Sequence, residues 1–235
     1  AEAWLDHIMA SKLPAPGRAR LAPMLSETGK LKGDLTVFNW GDGTYWIMGS
    51  YYLREWHMRW FEDHMGKDVI LEDVSDAMVG FSLSGPNRRK VLAKLTVDAM
   101  GLLTCKVGRL SVTGELGYEI HCSAAEHITL RKMLLEAGAD LGLKEVGFNA
   151  LLSLRLEKSF GIWSAEFTQG YTAAQTGMDR WIDWDKAFVG KAAAAAERDG
   201  NGPAQKLVML EVAAEDADAS GYEPVWQGEA LVGFV

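Results

Sequence analysis

Two segments of the chain, residues 35–50 and 106–123, each carry the pattern of a β-hairpin. They read LTVFNWGDGTYWIMGS and KVGRLSVTGELGYEIHCS, so that a glycine-containing turn separates two β-rich runs in both. Helical patterns lie between and after these hairpins, without the regular strand–helix–strand order of a doubly wound sheet. The sequence therefore predicts an α+β fold in which antiparallel sheets pack against helices.

Apolar residues recur at helical spacing in several parts of the chain. The spacing predicts helices within residues 1–11, 51–66, 85–95, 125–142 and 146–163. The first helical pattern stops at the proline-containing KLPAPG, because proline cannot continue a helix. Two short strands, DVILEDV at 68–74 and AMVGFSLSG at 77–85, are predicted between the second and third helices.

The pattern changes at ERDGNGPAQ, residues 197–205, a polar segment with glycine and proline that is typical of a linker. After it, KLVMLEVAAE at 206–215 and EPVWQGEALVGFV at 223–235 read as strands with no helix between them. The final EALVGFV stops within an apolar run, and DAMGLLTCKVGRL joins a helix to a strand with almost no connector. We therefore expect a chain that is truncated or gapped relative to a longer polypeptide.

Charge and cysteine content argue against several kinds of partner. The net charge is −8 and no basic face is clustered, so no nucleic-acid partner is expected. No apolar run approaches the roughly 20 residues of a membrane span, and the N-terminus has no signal-peptide layout. Cys105 and Cys122 provide neither a disulfide framework nor metal-ligand spacing. The sequence predicts a cytoplasmic protein without a metal site or membrane contact.

Five separated motifs together resemble the aminomethyltransferase family, whose type member is the tetrahydrofolate-binding T-protein of glycine cleavage. The motifs are GKLKGDLTV, SGPNRRKVL, VTGELGYEIH, ALLSLRLEKSFGIW and FVGK. Within the family they are most similar to the folate-binding C-terminal region of dimethylglycine and sarcosine dehydrogenases. The resemblance implies a folate-binding domain over residues 1–200, incomplete at its N-terminus, and the truncated beginning of a C-terminal β-barrel domain over 201–235.

The resemblance also implies a reaction and its cofactor. One carbon, from an N-methyl amine such as dimethylglycine or sarcosine or from a carrier-bound aminomethyl group, would pass to tetrahydrofolate and give 5,10-methylenetetrahydrofolate. FAD is implied only in a further N-terminal domain, because this sequence has no GxGxxG turn. The implied partners are a small methylated amine or sulfonium donor, a lipoyl carrier protein or a flavin domain. Two alternatives stay open: a dimethylsulfoniopropionate-type S-demethylase and a non-catalytic folate-binding module.

Asp34 is the implied catalytic residue. In GKLKGDLTV it matches the acidic residue that lies near the reactive N5/N10 edge of folate in this family. The residues alone favour a different interpretation, a turn aspartate that hydrogen-bonds its own backbone. Thr36 lies two residues on, so the period of a strand puts it on the same side and within reach of the same ligand.

Glu119 in VTGELGYEIH matches the family residue that holds the pterin ring. A carboxylate suits that role because it can accept two adjacent N–H donors as a bidentate pair. Glu115, in the turn of the same motif, is the weaker candidate. Ser111 or Val112 stands where family members often carry an aromatic residue that packs on the ligand. From the residues alone, a solvated strand face remains the alternative for Glu119.

Arg155 and Trp163 complete the implied cofactor-binding set. Arg155 would reach the glutamate tail of folate, although Glu157 and Lys158 nearby also suggest a helix-surface ion pair. Trp163 would stack on a ring of the folate, although aromatic residues at helical spacing usually pack in the core. The histidines show no partner spacing and are interpreted as packing or surface residues.

Overall fold

The computed structural model of the chain describes residues 1–98 and 103–235. Its helices in these ranges are α1 Glu2–Ile8, α2 Arg54–Asp63, α3 Arg88–Asp98, α4 His127–Gly138, α5 Phe148–Leu156 and α6 Lys191–Asp199. Its strands are β1 Arg18–Leu25, β2 Leu31–Asn39, β3 Tyr45–Met48, β4 Met78–Ser84, β5 Lys106–Gly108, β6 Gly117–Ser123, β7 Pro224–Gln227 and β8 Ala230–Phe234. Within the described residues, no helix is long and apolar enough to cross a membrane. The α+β class with antiparallel sheets is confirmed.

The first sheet is antiparallel in the order β1-β2-β3. The β2–β3 hairpin turns at the GDG sequence, where Gly41 and Gly43 both have positive φ and the Asp42 carboxylate accepts hydrogen bonds from Thr44. One face of the sheet packs against α1 and α2. The buried members of this core are Leu5, Ile8, Met9, Ala22, Met24, Leu35, Val37, Trp60 and Phe61.

The second sheet is antiparallel in the order β4-β6-β5, and β5 and β6 form the second predicted hairpin. Its central strand β6 directs Ile120 and Cys122 toward helices α3 and α4, because side chains alternate between the two faces. The buried core on this side contains Leu83, Val91, Leu95, Ile120, Cys122, Leu130 and Leu134. Each sheet therefore has one face covered by helices.

The uncovered faces of the two sheets meet through aromatic side chains. The His121 ring of β6 is edge-on to Phe38 of β2 at 6.0 Å and to Trp46 of β3 at 5.9 Å. Gly108 of β5 leaves room for this contact, since a Cβ there would lie 2.7 Å from the Phe38 ring. The two hairpins that the sequence predicts are thus packed face to face at this junction.

A third core cluster fixes residues 163–194 against the Leu25–Leu31 end of the first sheet. The FVGK motif lies here, and the local geometry explains why its third residue is glycine. Gly190 precedes α6 with φ +84°, and a Cβ on it would overlap the backbone carbonyl of Ser26. Helix α6 was not predicted, yet its alanine-rich sequence KAAAAAERD has high helix propensity.

The strand predicted over 68–74 is wrong. The segment forms no strand, and Ile70 is 95% exposed instead of packed in a sheet. Its acidic end is held by charge: Arg54, at the start of α2, binds Asp73 and lies 2.8 Å from an Asp76 oxygen. These contacts fix the segment as a loop on α2, whereas β4 forms as predicted.

The strand predicted over 206–215 is also absent, because its apolar side chains find no partner strand. Four of its apolar residues are at least half exposed: Val208, Met209, Leu210 and Val212. The segment 223–235, predicted as a strand, forms a hairpin of two strands, β7 and β8, which pair with each other alone among the described strands. The beginning of a β-barrel domain is therefore not confirmed. The close join expected at DAMGLLTCK includes residues 99–102, which lie outside the described residues.

A pair of glycine substitutions measures the constraint at Gly190. Gly177 has a similar φ, +69°, but a Cβ there would meet nothing within 4 Å. We expect Gly177→Ala to lower the free energy of unfolding by about 1 kcal/mol, the cost of the left-handed backbone alone. Gly190→Ala should lower it by about 2–4 kcal/mol because the Ser26 backbone must also move. Urea denaturation of both variants measures the difference, and equal losses would contradict the packing described here.

Candidate functional site

Asp34 lies on the central strand of the first sheet, in register with Pro23 of β1. Alternation along β2 directs Leu35 and Val37 into the helix-covered core, so Asp34 and Thr36 project from the opposite face. That face also carries Phe38, the residue that meets His121. Asp34 is partly buried within the strand. It is therefore a strand residue on the inter-sheet face and not a residue of a solvent-exposed turn.

The environment of Asp34 favours its neutral form. Burial raises the pKa of this carboxyl from 3.8 to about 6, and a hydrogen bond with its own backbone opposes the rise more weakly. No cation among the described residues contributes to this pKa. At pH 7 roughly nine-tenths of the groups are still ionised. Asp34 is thus an anion without a counter-ion among these residues. Its carboxylate can take up a proton near neutral pH.

Glu119 lies on β6 between Ser82 of β4 and Gly108 of β5. It shares a face with His121, which follows two residues later, and that face meets the first sheet. The Glu119 side chain is 23% exposed, and its Oε2 lies 3.6 Å from His121 Nε2. The structure therefore brings Asp34, Thr36 and Glu119 onto the two sheet faces that are packed against each other.

Glu115 and Val112 are placed elsewhere, in the loop between β5 and β6. The Glu115 carboxylate lies 3.1 Å from Lys158 Nζ, and both side chains are largely exposed. Val112 is 42% exposed. Neither residue belongs to the β6 face that carries Glu119, so the structure does not group them with Asp34.

Arg155 is buried, and its guanidinium is bound within the protein. Nη1 lies 2.5 Å from Glu166 Oε2 and donates a hydrogen bond to the Phe160 carbonyl at 3.0 Å. Glu166 also accepts a hydrogen bond from the Ile162 amide. The ion-pair partner is thus Glu166 and not the neighbouring Glu157, because the chain turns back after α5. These contacts give Arg155 a structural role in that turn.

Trp163 is half-buried and, unlike Arg155, is linked by side-chain contacts to β2, the strand that carries Asp34. Its ring is 5.9 Å from the ring of Trp56 on α2. The ammonium of Lys32, which precedes Asp34 by two residues, lies 4.4 Å from the Trp56 ring. Trp163 therefore connects through two side-chain contacts to the residues that flank Asp34.

Sequence reasoning interpreted His121 as a packing or surface residue, and its ring does pack against Phe38 and Trp46, but the proximity of this ring to Glu119 was not predicted. The signal was available in part, since a residue two after Glu119 on a strand must share its face. It also missed the neighbouring pair of tryptophans, over which Lys106 Nζ lies at 4.7 Å from Trp40 and 5.4 Å from Trp46. Over residues 1–98 and 103–235, no cluster of His, Cys, Asp or Glu has metal-binding geometry.

The chain matches the model of a protein family, the GCVT N-terminal domain, over residues 1–186. It is 30% identical to the mitochondrial dimethylglycine dehydrogenase of Mus musculus, over 97% of this chain and 28% of that protein. It is 29% identical to the aminomethyltransferase of Geobacillus thermodenitrificans, over 94% of this chain and 64% of that protein. The chain thus spans under a third of the dehydrogenase and slightly under two thirds of the aminomethyltransferase.

The fold is similar to that of a solved structure. The crystal structure of glycine cleavage system aminomethyltransferase T from Bartonella henselae matches with a TM-score of 0.74. The match covers 86% of this chain and 58% of the other, at 22% sequence identity. The arrangement of sheets and helices described above is therefore shared with that protein.

The burial of Asp34 predicts a pH-dependent effect of Asp34→Asn on stability. Because the pKa is raised in the folded state, ionised Asp34 destabilises the fold, and this cost grows from pH 4 to about pH 7. Asp34→Asn should therefore raise the free energy of unfolding by about 1–2 kcal/mol at pH 8, discounted for partial solvation, and by little at pH 4. Thermal unfolding across this range measures it, with Asp68→Asn at an exposed site as the control. A gain independent of pH would contradict the burial described for Asp34.

Proposed function

The chain belongs to the GCVT N-terminal domain family, and from this premise we propose that it is the folate-binding and catalytic part of a tetrahydrofolate-dependent one-carbon transferase. One observation carries the proposal. Asp34, an ionisable carboxylate with no counter-ion among the described residues, lies on a sheet face that is packed against the face bearing Glu119. The names of the relatives, aminomethyltransferase and dimethylglycine dehydrogenase, support the same chemistry.

The residues around Glu119 have the chemistry that a pterin ring requires. The ring offers adjacent N–H donors, and the Glu119 carboxylate has lone pairs free to accept them. Close by, the buried Nε2 of His121 has no hydrogen-bond partner among the described residues. A carboxylate that can still accept hydrogen bonds fits a polar ligand with N–H donors. We assign Glu119 to the pterin ring, and Thr36 and Trp163 to the remainder of the folate.

Asp34 is assigned the catalytic role. Bound tetrahydrofolate supplies the nucleophilic nitrogens N5 and N10 that accept the one-carbon unit. Asp34 then meets two needs of that reaction: its negative charge stabilises developing cationic charge, and its pKa of about 6 lets it accept a proton near neutral pH. Partial burial strengthens the first effect, because charges interact more strongly where water is excluded.

The donor proposed is an N-methyl amine, dimethylglycine or sarcosine, whose methyl group is oxidised to an iminium by a flavin domain outside this sequence. The similarity to a dimethylglycine dehydrogenase supports this choice. A lipoyl carrier protein bearing an aminomethyl group is the alternative source, supported by the similarity to aminomethyltransferases. The proposed product with either donor is 5,10-methylenetetrahydrofolate.

The domain organisation and location follow as proposals. Residues 1–200 are taken as the folate-binding domain, supported by three cores that join α1–α4 and α6 to the first two sheets. Residues 201–235 are taken as part of a separate unit, because β7 and β8 pair with no other described strand. The two free cysteines are compatible with the cytoplasm.

The folate product that forms with each candidate compound shows which one is the one-carbon donor. The chain, supplied with tetrahydrofolate, is incubated in parallel with dimethylglycine, sarcosine, a lipoyl-carried aminomethyl group and dimethylsulfoniopropionate, the amines with and without a flavin oxidase. Mass spectrometry should detect methylenetetrahydrofolate with an oxidised amine or the carrier. Methyltetrahydrofolate from the sulfonium donor would instead indicate an S-demethylase. Tetrahydrofolate should also raise the melting temperature, and binding without transfer from any donor would indicate a non-catalytic module.

Removal of the Asp34 carboxylate separates binding from chemistry. We expect Asp34→Ala to lower turnover at least about a hundredfold, since it removes both the proton acceptor and the stabilising charge. The dissociation constant for tetrahydrofolate should change by less than about threefold, because pterin contacts are assigned to Glu119. Calorimetric titration and product assays measure the two effects, with Asp68→Ala as the exposed control. Wild-type turnover in Asp34→Ala would remove Asp34 from the mechanism.

A further inference from the structure

We propose that His121 is a positioning residue for tetrahydrofolate, whose Nε2–H holds the Glu119 carboxylate in the orientation that accepts the N–H groups of the pterin. The inference rests on the proposed function, because it takes Glu119 as the pterin acceptor. It concerns a residue that touches neither folate nor donor and acts through Glu119 alone.

The His121 ring is held from several sides. Phe38 and Trp46, from the first sheet, meet it edge-on with interplanar angles of 83° and 78°. Across the ladder, Gly80 is in register with His121, and a Cβ at this glycine would lie 2.7 Å from Nδ1. The His121 side chain is 7% exposed. A ring confined in this way presents Nε2 in one direction.

That direction contains Glu119. His121 Nε2 lies 3.6 Å from Glu119 Oε2, which is longer than a hydrogen bond but within reach of one. Nε2 is buried and has no other hydrogen-bond partner among the described residues. A buried polar group without a partner is costly, so a shift of the carboxylate by about 0.6 Å to close the bond would be favourable.

The carboxylate is free to make that shift and still bind a ligand. The Glu119 side chain is 23% exposed, unlike the 7% of His121. A carboxylate has about four lone-pair directions, so one can accept His121 Nε2–H while two others accept a bidentate pair of N–H donors. Hydrogen bonds of this kind are often long before the ligand binds and shorten in the complex. The arrangement fits a ligand donor pair that pulls Glu119 into its final position.

Packing alone is the competing explanation, since His121 also fills the junction between the sheets. His121→Phe distinguishes packing from the hydrogen bond to Glu119, because it keeps an aromatic ring in the pocket and removes Nε2–H. His121→Gln keeps an N–H donor at the end of a side chain of similar reach. His127→Phe is the matched control: this histidine is exposed, stacks on Phe81 and starts α4, away from the junction.

Calorimetric titration with tetrahydrofolate is run on the wild type, Glu119→Gln, His121→Phe and their double variant. We expect His121→Phe to weaken binding about tenfold and to add nothing further in the Glu119→Gln background. His121→Gln should recover most of the affinity, and His127→Phe should bind as the wild type does. In turnover assays, His121→Phe should raise KM for tetrahydrofolate and leave kcat within about twofold.

Wild-type affinity in His121→Phe, or an equal loss with and without the Glu119 carboxylate, would overturn the inference while the proposed function stands. Wild-type affinity in Glu119→Gln would overturn both the pterin assignment and the inference. No binding of tetrahydrofolate by the wild type would overturn the proposed function itself. If His121→Phe does not fold, His121→Leu takes its place in the cycle and is judged by the same outcomes.

Discussion

The packing of the two sheets through one imidazole is the contact on which the rest of the arrangement depends. His121 reaches from the second sheet into the aromatic surface of the first, formed by Phe38 and Trp46. Glycines at 80 and 108 leave the space that this approach requires. Because helices cover the other face of each sheet, the polar residues of β2 and β6 have one common direction in which to project. The site is thus a consequence of how the sheets are covered.

The location of Asp34 between the sheets destabilises the fold, and the packing of the same strand against helices offsets this effect. Burial of Asp34, which has no counter-ion in the described part of the chain, raises its pKa and opposes folding at neutral pH. The same strand carries Leu35 and Val37, which are 1% and 0% exposed and pack against α1 and α2. A strand whose alternate residues are so firmly packed can hold an unfavourable carboxylate in place. Packing on one face of the strand therefore offsets the cost of the carboxylate on the other.

Local patterns in the sequence were sufficient for both hairpins, for most helices and for the shared face of Asp34 and Thr36, because each depends on residues close along the chain. They failed where distant residues decide. The acidic segment at 68–74 has strand-like propensity but is held by Arg54, and Arg155 pairs with Glu166 in a returning loop. The contact between His121 and Phe38 joins residues far apart in sequence, so no local sequence pattern predicts it. Family resemblance supplied the roles proposed for Asp34 and Glu119, which the pattern alone could not.

The ion pair between buried Arg155 and half-buried Glu166 has a consequence for how such a chain can diverge. Loss of Glu166 leaves Arg155 as an uncompensated buried charge, at a cost of roughly 3–5 kcal/mol, whereas replacement of both by apolar residues can be nearly neutral. Intermediates between the two states are therefore disfavoured. Over evolutionary time the two positions are expected to change together or to stay fixed, so the turn after α5 evolves as a unit although its charged residues are eleven positions apart.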